Sequence, residues 1–211
     1  MKIISNAFKQ DIEDLVADYE KKSTGEIVPV LLKTSDSYPS AHFRWALFLS
    51  ILFPSALYLS PFTTNDPIEF LAAQALGIIM GFLLAFNQKA KRLLFTKKQM
   101  NEEVYQRALQ AYVEHQVIAT EHRNGVLLFL SFFERRIHIF ADTGISKVVS
   151  NEKWQEMINE TLPLLKKGQY EETLQGLIHK TGELLTEYFP RDNNQSENNT
   201  KSRLDDGLRT D

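Results

Sequence analysis

Two long apolar runs constrain this chain more than anything else in it. Trp45–Phe62 has no charged residue across 18 positions, and Phe70–Phe86 has none across 17. A hydrocarbon core ~30 Å thick is spanned by about 20 helical residues rising ~1.5 Å each. Each run is a little short of that, and flanking aromatic rings with snorkelling basic side chains make up the difference. The two runs read as a transmembrane helical hairpin over residues 43–86. The competing reading, two buried core helices, requires more surrounding protein than the remaining residues supply, because a helix apolar all round must be covered all round.

The hairpin carries further detail. Phe43, Trp45, Tyr58 and Phe62 fall near the ends of the first helix, where amphipathic rings sit at headgroup level, and Pro54 is a kink that a bilayer helix tolerates. Ala73, Gly77 and Gly81 recur every fourth residue and form a small-residue face for close approach of a partner helix, either the first helix or a second copy of the chain. Gln74 is the only strongly polar side chain in the second run, so neither a proton path nor a polar pore lining is present at membrane depth.

Charge asymmetry sets the expected orientation. Lys89, Lys91, Arg92, Lys97 and Lys98 follow the second helix, Lys33 and Arg44 precede the first, and the connection 63–69 holds Asp66 and Glu69 without a cation. The positive-inside rule then places both termini in the cytoplasm of a two-span protein of the plasma membrane. The basic segment 87–99 is expected on anionic lipid headgroups. Trp45, Tyr58, Arg92, Lys97 and Lys98 are the expected anchoring residues.

Outside the hairpin about 130 residues remain, enough for one globular domain, split into 1–40 and 100–190. Asn6–Lys22 has an apolar face of Phe8, Ile12, Leu15, Val16 and Tyr19, with Asn6 as the expected cap. Glu26–Leu32 reads as a buried strand whose Pro29 marks one edge as unpaired. A helix is expected from an Asn101 cap to about Glu121, then a strand at Val126–Phe133, a tight turn at Glu134–Arg136 and a third strand at Ile137–Ala141. Two more helices follow, one from an Asn151 cap to Gly168 and one at Tyr170–Tyr188. Residues 191–211 are too poor in apolar side chains to offset chain entropy and are expected to be disordered.

The fold class is therefore α/β: a small sandwich with a mixed sheet of three to four strands and helices on both faces, interrupted by the hairpin. The first and second strands, joined by a long crossover, should be parallel, and the third should be antiparallel to the second. That topology puts Arg135 at the end of the sheet where the first strand finishes. It collects Gly25, Glu26, Asn124 and the turn Asp142–Gly144 at the opposite end.

Chemistry-bearing residues are sparse. A net charge of −3 argues against a nucleic-acid partner, and the absence of cysteine removes disulfides, thiolate chemistry and Cys-ligated metals. Asp142-Thr143-Gly144 has the form of an aspartic-protease triplet, but that chemistry needs two such aspartates in an all-β frame, so a turn with glycine at positive φ is the expectation. His115 and His122, like Glu114 and Glu121, are seven apart and ~10 Å from each other along a helix, too far for one ion. His115 is expected to be half-buried and His138 to be packed beneath a helix. Asp142, Asp36 and Glu152 could offer oxygens to a divalent cation, and Asp142 and Glu26 are the acidic candidates for catalysis. Walker, paired-glycine, GxSxG and HExxH motifs are absent.

Taken together, TGEIVPVLL, the distant NGVLLFLSFFERRIHIFADTGI, the helix with WQEMI and the segment LLKKGQYEETLQGLIHKTGELL resemble the TPM domain over most of residues 12–190. With its two-helix insertion after the first strand, the chain looks like the branch of uncharacterised bacterial membrane proteins. The resemblance implies an α/β sandwich. It also implies a range of roles: soluble plant relatives proposed as acid phosphatases with a divalent metal, others in photosystem repair or associated with receptors. Family carboxylates at the turn after the third strand would correspond to Asp142, although this chain has DTGIS where those relatives have a glycine-rich acidic turn. The functional expectation is a membrane-anchored, protein-binding or organising domain rather than an enzyme, with lipids and a protein partner or second copy as partners. A metal-dependent phosphatase is the alternative.

Overall fold

A computed structural model describes residues 5–61, 66–120, 123–191 and 207–210. In chain order the elements are α1 (Asn6–Glu20), β1 (Glu26–Leu32), α2 (Ser40–Tyr58), α3 (Pro67–Leu84), α4 (Gln88–Leu93), α5 (Lys97–Glu114), β2 (Gly125–Ser131), β3 (Arg136–Ala141), α6 (Thr143–Ser146), α7 (Asn151–Lys167), α8 (Tyr170–Tyr188) and β4 (Arg209–Thr210). They divide into two compact units, Met1–Ser35 with Asn101–Asp211, and Asp36–Met100.

The first unit is a mixed four-stranded sheet in the order β3-β2-β1-β4. β1 lies parallel to β2, Glu26 opposite Gly125 through Leu32 opposite Ser131, and β3 returns antiparallel to β2. Alternation along the strands sorts the core into two layers. Ile27 and Leu31, with Val126, Leu128, Leu130 and Ile137, pack against Phe8, Ile12 and Val16 of α1 and the apolar faces of α7 and α8. Val28, Val30, Leu32, Leu127 and Phe129 face the other way, against Val104, Ala108 and Ala111 of α5. β1 and β2 are buried on both faces, which is why they read as unbroken apolar runs.

Several boundaries differ from the sequence expectation, each for a local reason. α1 is capped by Ser5, whose hydroxyl accepts the Phe8 N–H at 3.1 Å, rather than by Asn6. α5 begins at Lys97, not after Asn101. Thr96 and Gln99 form a reciprocal capping box there: the Gln99 N–H reaches Thr96 Oγ1 at 3.2 Å, and the Thr96 N–H reaches Gln99 Oε1 at 3.1 Å. The same helix stops at Glu114, because Gln116 turns left-handed (φ 54°) and a short 3-10 turn, Val117–Ala119, sends buried Val117 back into the core. Gly144 is helical, so the turn with glycine at positive φ is not formed: Asp142 caps α6 instead. Gly168 is the described glycine that does take positive φ (85°), closing α7 as its N–H bonds to the Leu165 carbonyl at 3.1 Å.

The expectation for 191–211 also needs correcting at its far end. Arg209–Thr210 pairs parallel with β1 and Leu208 is buried in the core beside it. One leucine and the free outer edge of β1 suffice to dock a segment whose composition is otherwise polar. Residues 192–206 and 211 lie outside the described residues.

The second unit is the pair α2 and α3 with α4. α3 packs on α2 through Gly77 and Gly81: a Cβ on Gly77 would sit 2.3 Å from the Leu49 carbonyl oxygen, and one on Gly81 2.4 Å from that of Trp45. No residue larger than glycine fits either place without moving the partner backbone. Ala73 is half-buried on the same side. Gly77 and Gly81 of the small-residue stripe thus lie against the first helix. Among the described residues Pro67–Leu84 is the one helix long and apolar enough to cross a membrane, where the sequence reading has two spans. α2 carries His42 and Arg44 in its first turns, ahead of its apolar run.

Candidate functional site

The sheet has two chemically distinct ends. Where β1 and β2 begin and β3 finishes, Asp142 is placed by the β2–β3 pairing, its N–H bonded to the Gly125 carbonyl at 2.9 Å. Its side chain is almost fully buried (2% exposed). Oδ1 accepts the Thr143 N–H at 2.6 Å and the Thr143 hydroxyl at 3.2 Å, a cap for α6. Oδ2 makes no hydrogen bond and lies 3.7 Å from Nε of Arg123, a residue held in left-handed backbone (φ 55°). The hydroxyl of Tyr112 is pushed to higher pKa by burial first and by the Asp142 charge second, against the opposing pull of Arg123.

Glu26, opposite Gly125, starts β1 at this same end, its N–H bonded to the Asn124 carbonyl at 3.1 Å. Asn124 is buried and bridges the connections, its N–H to Thr120 Oγ1 at 3.1 Å and its side chain to Thr24 Oγ1 at 3.3 Å. Most of these polar groups are hydrogen-bonded within the chain, Asp142 Oδ2 being an exception. No three carboxylates or histidines come together to hold a metal ion among the described residues. Glu152 stands in the exposed first turn of α7, its carboxyl held below the usual range by the Ser150 hydroxyl. Asp36 belongs to the other unit, where its carboxylate accepts the Tyr38 N–H at 2.9 Å. Within the α/β unit, Glu26 and Asp142 lie at the ends of β1 and β3 and Glu152 on α7. Asp142, the buried one, has Arg123 beside its Oδ2 at 3.7 Å.

At the other end, the β2–β3 turn holds a residue that sequence reasoning missed. Glu134 is completely buried. It accepts the Ser35 N–H at 3.0 Å, the Thr34 hydroxyl at 3.3 Å and a short bond from the Ser131 hydroxyl. Arg135 turns the corner at φ 53°, and the Phe132 and Phe133 N–H groups bond to the Leu32 and Lys33 carbonyls. Arg135 and Asp142 are at opposite ends of the sheet, as the strand order implies. The signal for Glu134 was the ERR turn itself: a carboxylate directly after an apolar strand, with a hydroxyl three residues before it.

The histidines behave as packing residues. His138 lies on the α5 side of β3, edge-on to Tyr105 with ring centroids 5.8 Å apart, and burial with the Arg136 charge lowers its pKa. His115 is half-buried and lowered by burial first, then by Arg209. Glu114 pairs with Arg107 at 2.9 Å, while Glu121 and His122 lie outside the described residues.

In the second unit the expected anchoring residues occupy defined places. Trp45 is half-buried and its indole N–H donates to the Ala90 carbonyl at 3.0 Å, tying α4 to α2. Arg44 donates to the Leu94 carbonyl at 2.8 Å and lies 4.9 Å over the ring of Phe95. Lys91 reaches the Ser37 carbonyl at 3.1 Å. Arg92 sits in the last turn of α4, Lys97 and Lys98 open α5, and Tyr58, at the far end of α2, is exposed and meets the ring of Phe70 at 6.5 Å. Phe62 lies outside the described residues. Outward-facing side chains of α2 and α3 are large and apolar: Leu47, Ile51, Leu71, Ile79 and Leu83 are all more than half exposed.

Residues 84–184 match the family model described as the TPM domain, a span from the end of α3 through most of α8 that leaves out β1. Over its whole length the chain resembles the NMR structure of the BA42 protein from the psychrophilic bacterium Bizionia argentinensis, with a TM-score of 0.59 and 19% identity, covering 100% of this chain and 97% of that one. At that identity the likeness is one of fold. No curated protein matches.

Proposed function

We propose that this chain is a membrane-anchored, TPM-type α/β protein that binds or organises other proteins at the cytoplasmic face of the plasma membrane, and that it is not a hydrolase. The observation that carries the reading is the surface of the second unit. Two helices are fastened to each other by glycines while their outward side chains, Leu47, Ile51, Leu71, Ile79 and Leu83 among them, are apolar and exposed. Water does not tolerate so continuous an apolar face, and lipid accepts it. In this reading α2 is the second span alongside α3, and Trp45 with the α4 cations marks the headgroup level, where Lys91 and Arg92 meet anionic lipid. The TPM-domain match supports the assignment of the α/β unit, and among the described residues no three acids or histidines gather to hold a metal, which favours binding over the metal-dependent phosphatase alternative.

Cysteine accessibility tests the topology without background, since the chain has no cysteine. Asp66→Cys should react with an impermeant maleimide on intact cells, and Gln169→Cys should react only after lysis. Recovery of the chain in the carbonate-soluble fraction, or labelling of Gln169→Cys from outside, refutes the arrangement. A pull-down from detergent extract that returns neither a partner nor a second copy counts against the binding role.

A further inference from the structure

β1 has an outer edge that is closed in three different ways at its three outward positions. The Glu26 N–H and the Leu32 carbonyl both bond on the β2 side. By alternation the peptide groups of residues 27, 29 and 31 face away from β2. The Ile27 N–H is taken by the buried Glu20 carboxylate at 2.9 Å. Pro29 has no N–H to offer. The remaining stretch is where β4 pairs, Val30 opposite Arg209 and Leu31 opposite Thr210. Glu20 and Pro29 therefore shorten the edge to a site that admits a strand of only about two residues, in parallel orientation.

The segment filling the site is short. Leu208 (6% exposed) is its one core side chain, packed in the layer that includes Ile12, Val16 and Leu31. Beside it a groove of about 520 Å³ against α1 is lined by Lys9, Glu13, Asp14 and Ala17 as well as residues 207–209. A two-residue ladder with one buried leucine opens far more readily than the seven-residue pairing of β1 with β2.

We propose that this edge of β1 is a strand-acceptor site, and that its occupant is residues 207–210 of the chain exchanged between two copies. The sequence Gly207–Thr210 is the one whose fit to the shortened edge is on view, and each copy carries both the acceptor and the occupant. Reciprocal exchange closes on itself as a two-fold dimer. The proposal gives the binding role suggested above a surface. It rests on the α/β unit alone and survives if the membrane reading fails.

The full chain in mild detergent tests it. Thr210→Cys is labelled with a benzophenone maleimide and irradiated. The expected product has twice the chain mass, maps to β1, and is lost both on adding excess peptide DDGLRT and in the Thr210→Cys, Leu208→Asp double variant. Products confined to one chain overturn exchange between copies. A dimer-mass product that persists with Leu208→Asp places the association elsewhere and also overturns it. In a second measurement, hydrogen exchange at Leu31 in full-length Leu208→Asp should slow at least about tenfold when the peptide is added. No slowing means that the edge is not an acceptor.

Discussion

The two units bury their apolar residues by opposite rules. In the α/β unit, large side chains point inward: Phe129, Leu128 and Leu130 have no exposed surface. In the hairpin unit the smallest residues point inward, Gly77 and Gly81 against the α2 backbone, and the large ones point out. The first arrangement is what water imposes, since apolar area must be hidden. The second is the arrangement expected if the proposed membrane setting holds, where hiding apolar area confers no advantage and close helix contact does. The same residue types therefore mean different things in the two halves of one chain.

The sharpest test of that difference applies one kind of truncation to both. Phe129→Ala should destabilise the α/β unit by about 3–5 kcal/mol, the usual range for emptying a packed aromatic site. Leu83→Ala, at a side chain 60% exposed, should leave folding in detergent unchanged within about 0.5 kcal/mol. The two tryptophans make the readout separable, because Trp154 lies in the α/β unit and Trp45 in the hairpin unit. Denaturation of Trp45→Phe and Trp154→Phe backgrounds assigns each loss to its unit. A cost at Leu83 equal to that at Phe129 would break the comparison, since the outer face of α3 would then be a covered core.

The next effect concerns a carboxyl group that the α/β unit buries completely. Glu134→Ala leaves the Ser35 N–H and the Ser131 and Thr34 hydroxyls without their acceptor, and should cost about 2–3 kcal/mol. Glu134→Gln keeps an acceptor oxygen and should cost less, both measured by urea unfolding followed at Trp154. Equal stability of all three proteins would mean that the turn holds without its carboxylate.

These cases show what was readable beforehand. β1 was legible to the residue, and α8 likewise, because burial on both faces of a strand leaves an unbroken apolar run and burial on one face of a helix writes a period into the sequence. The order of β1, β2 and β3 followed from connection lengths. The end of α5 and the strand at 209–210 were not legible, since a left-handed glutamine and a docked leucine leave no periodic trace. The candidate acids were found as residues but not as a site. Asp142 is buried by a pairing register and matched to Arg123 by a loop, neither of which composition reveals. Glu134 went unnoticed because its partners Thr34 and Ser35 lie a hundred residues away in sequence.

Asp142 yields a smaller prediction. Asp142→Ala removes the cap of α6 and the charge facing Arg123, at a cost of about 1–2 kcal/mol in chemical denaturation. Hydrolysis of p-nitrophenyl phosphate with Mg²⁺ or Ca²⁺ should show no turnover that depends on this residue. Activity present in the natural chain and abolished by Asp142→Ala would replace the binding role with the phosphatase alternative.

The smallest expected effect is a dependence on pH that only the α/β unit should show. His138 has its pKa lowered by burial first and by Arg136 second, and His115 by burial first and then Arg209. For each, the folded chain prefers the neutral ring more strongly than the unfolded chain does. The stability this contributes is fully present above the unfolded value near 6.5 and is lost as pH falls from there through the lowered folded value. Urea midpoints read at Trp154 should fall between pH 7 and pH 5, and less so in His138→Phe, whose ring keeps the contact with Tyr105 without a proton to gain. The hairpin signal from Trp45 is read in a His42→Phe background, because the His42 ring meets the Phe82 carbonyl at 3.1 Å in that unit, and with that ring removed it should stay flat across the same range. A parallel fall at Trp45 would mean that the two units do not unfold separately, and the contrast between their interiors would then have to be tested on variants alone.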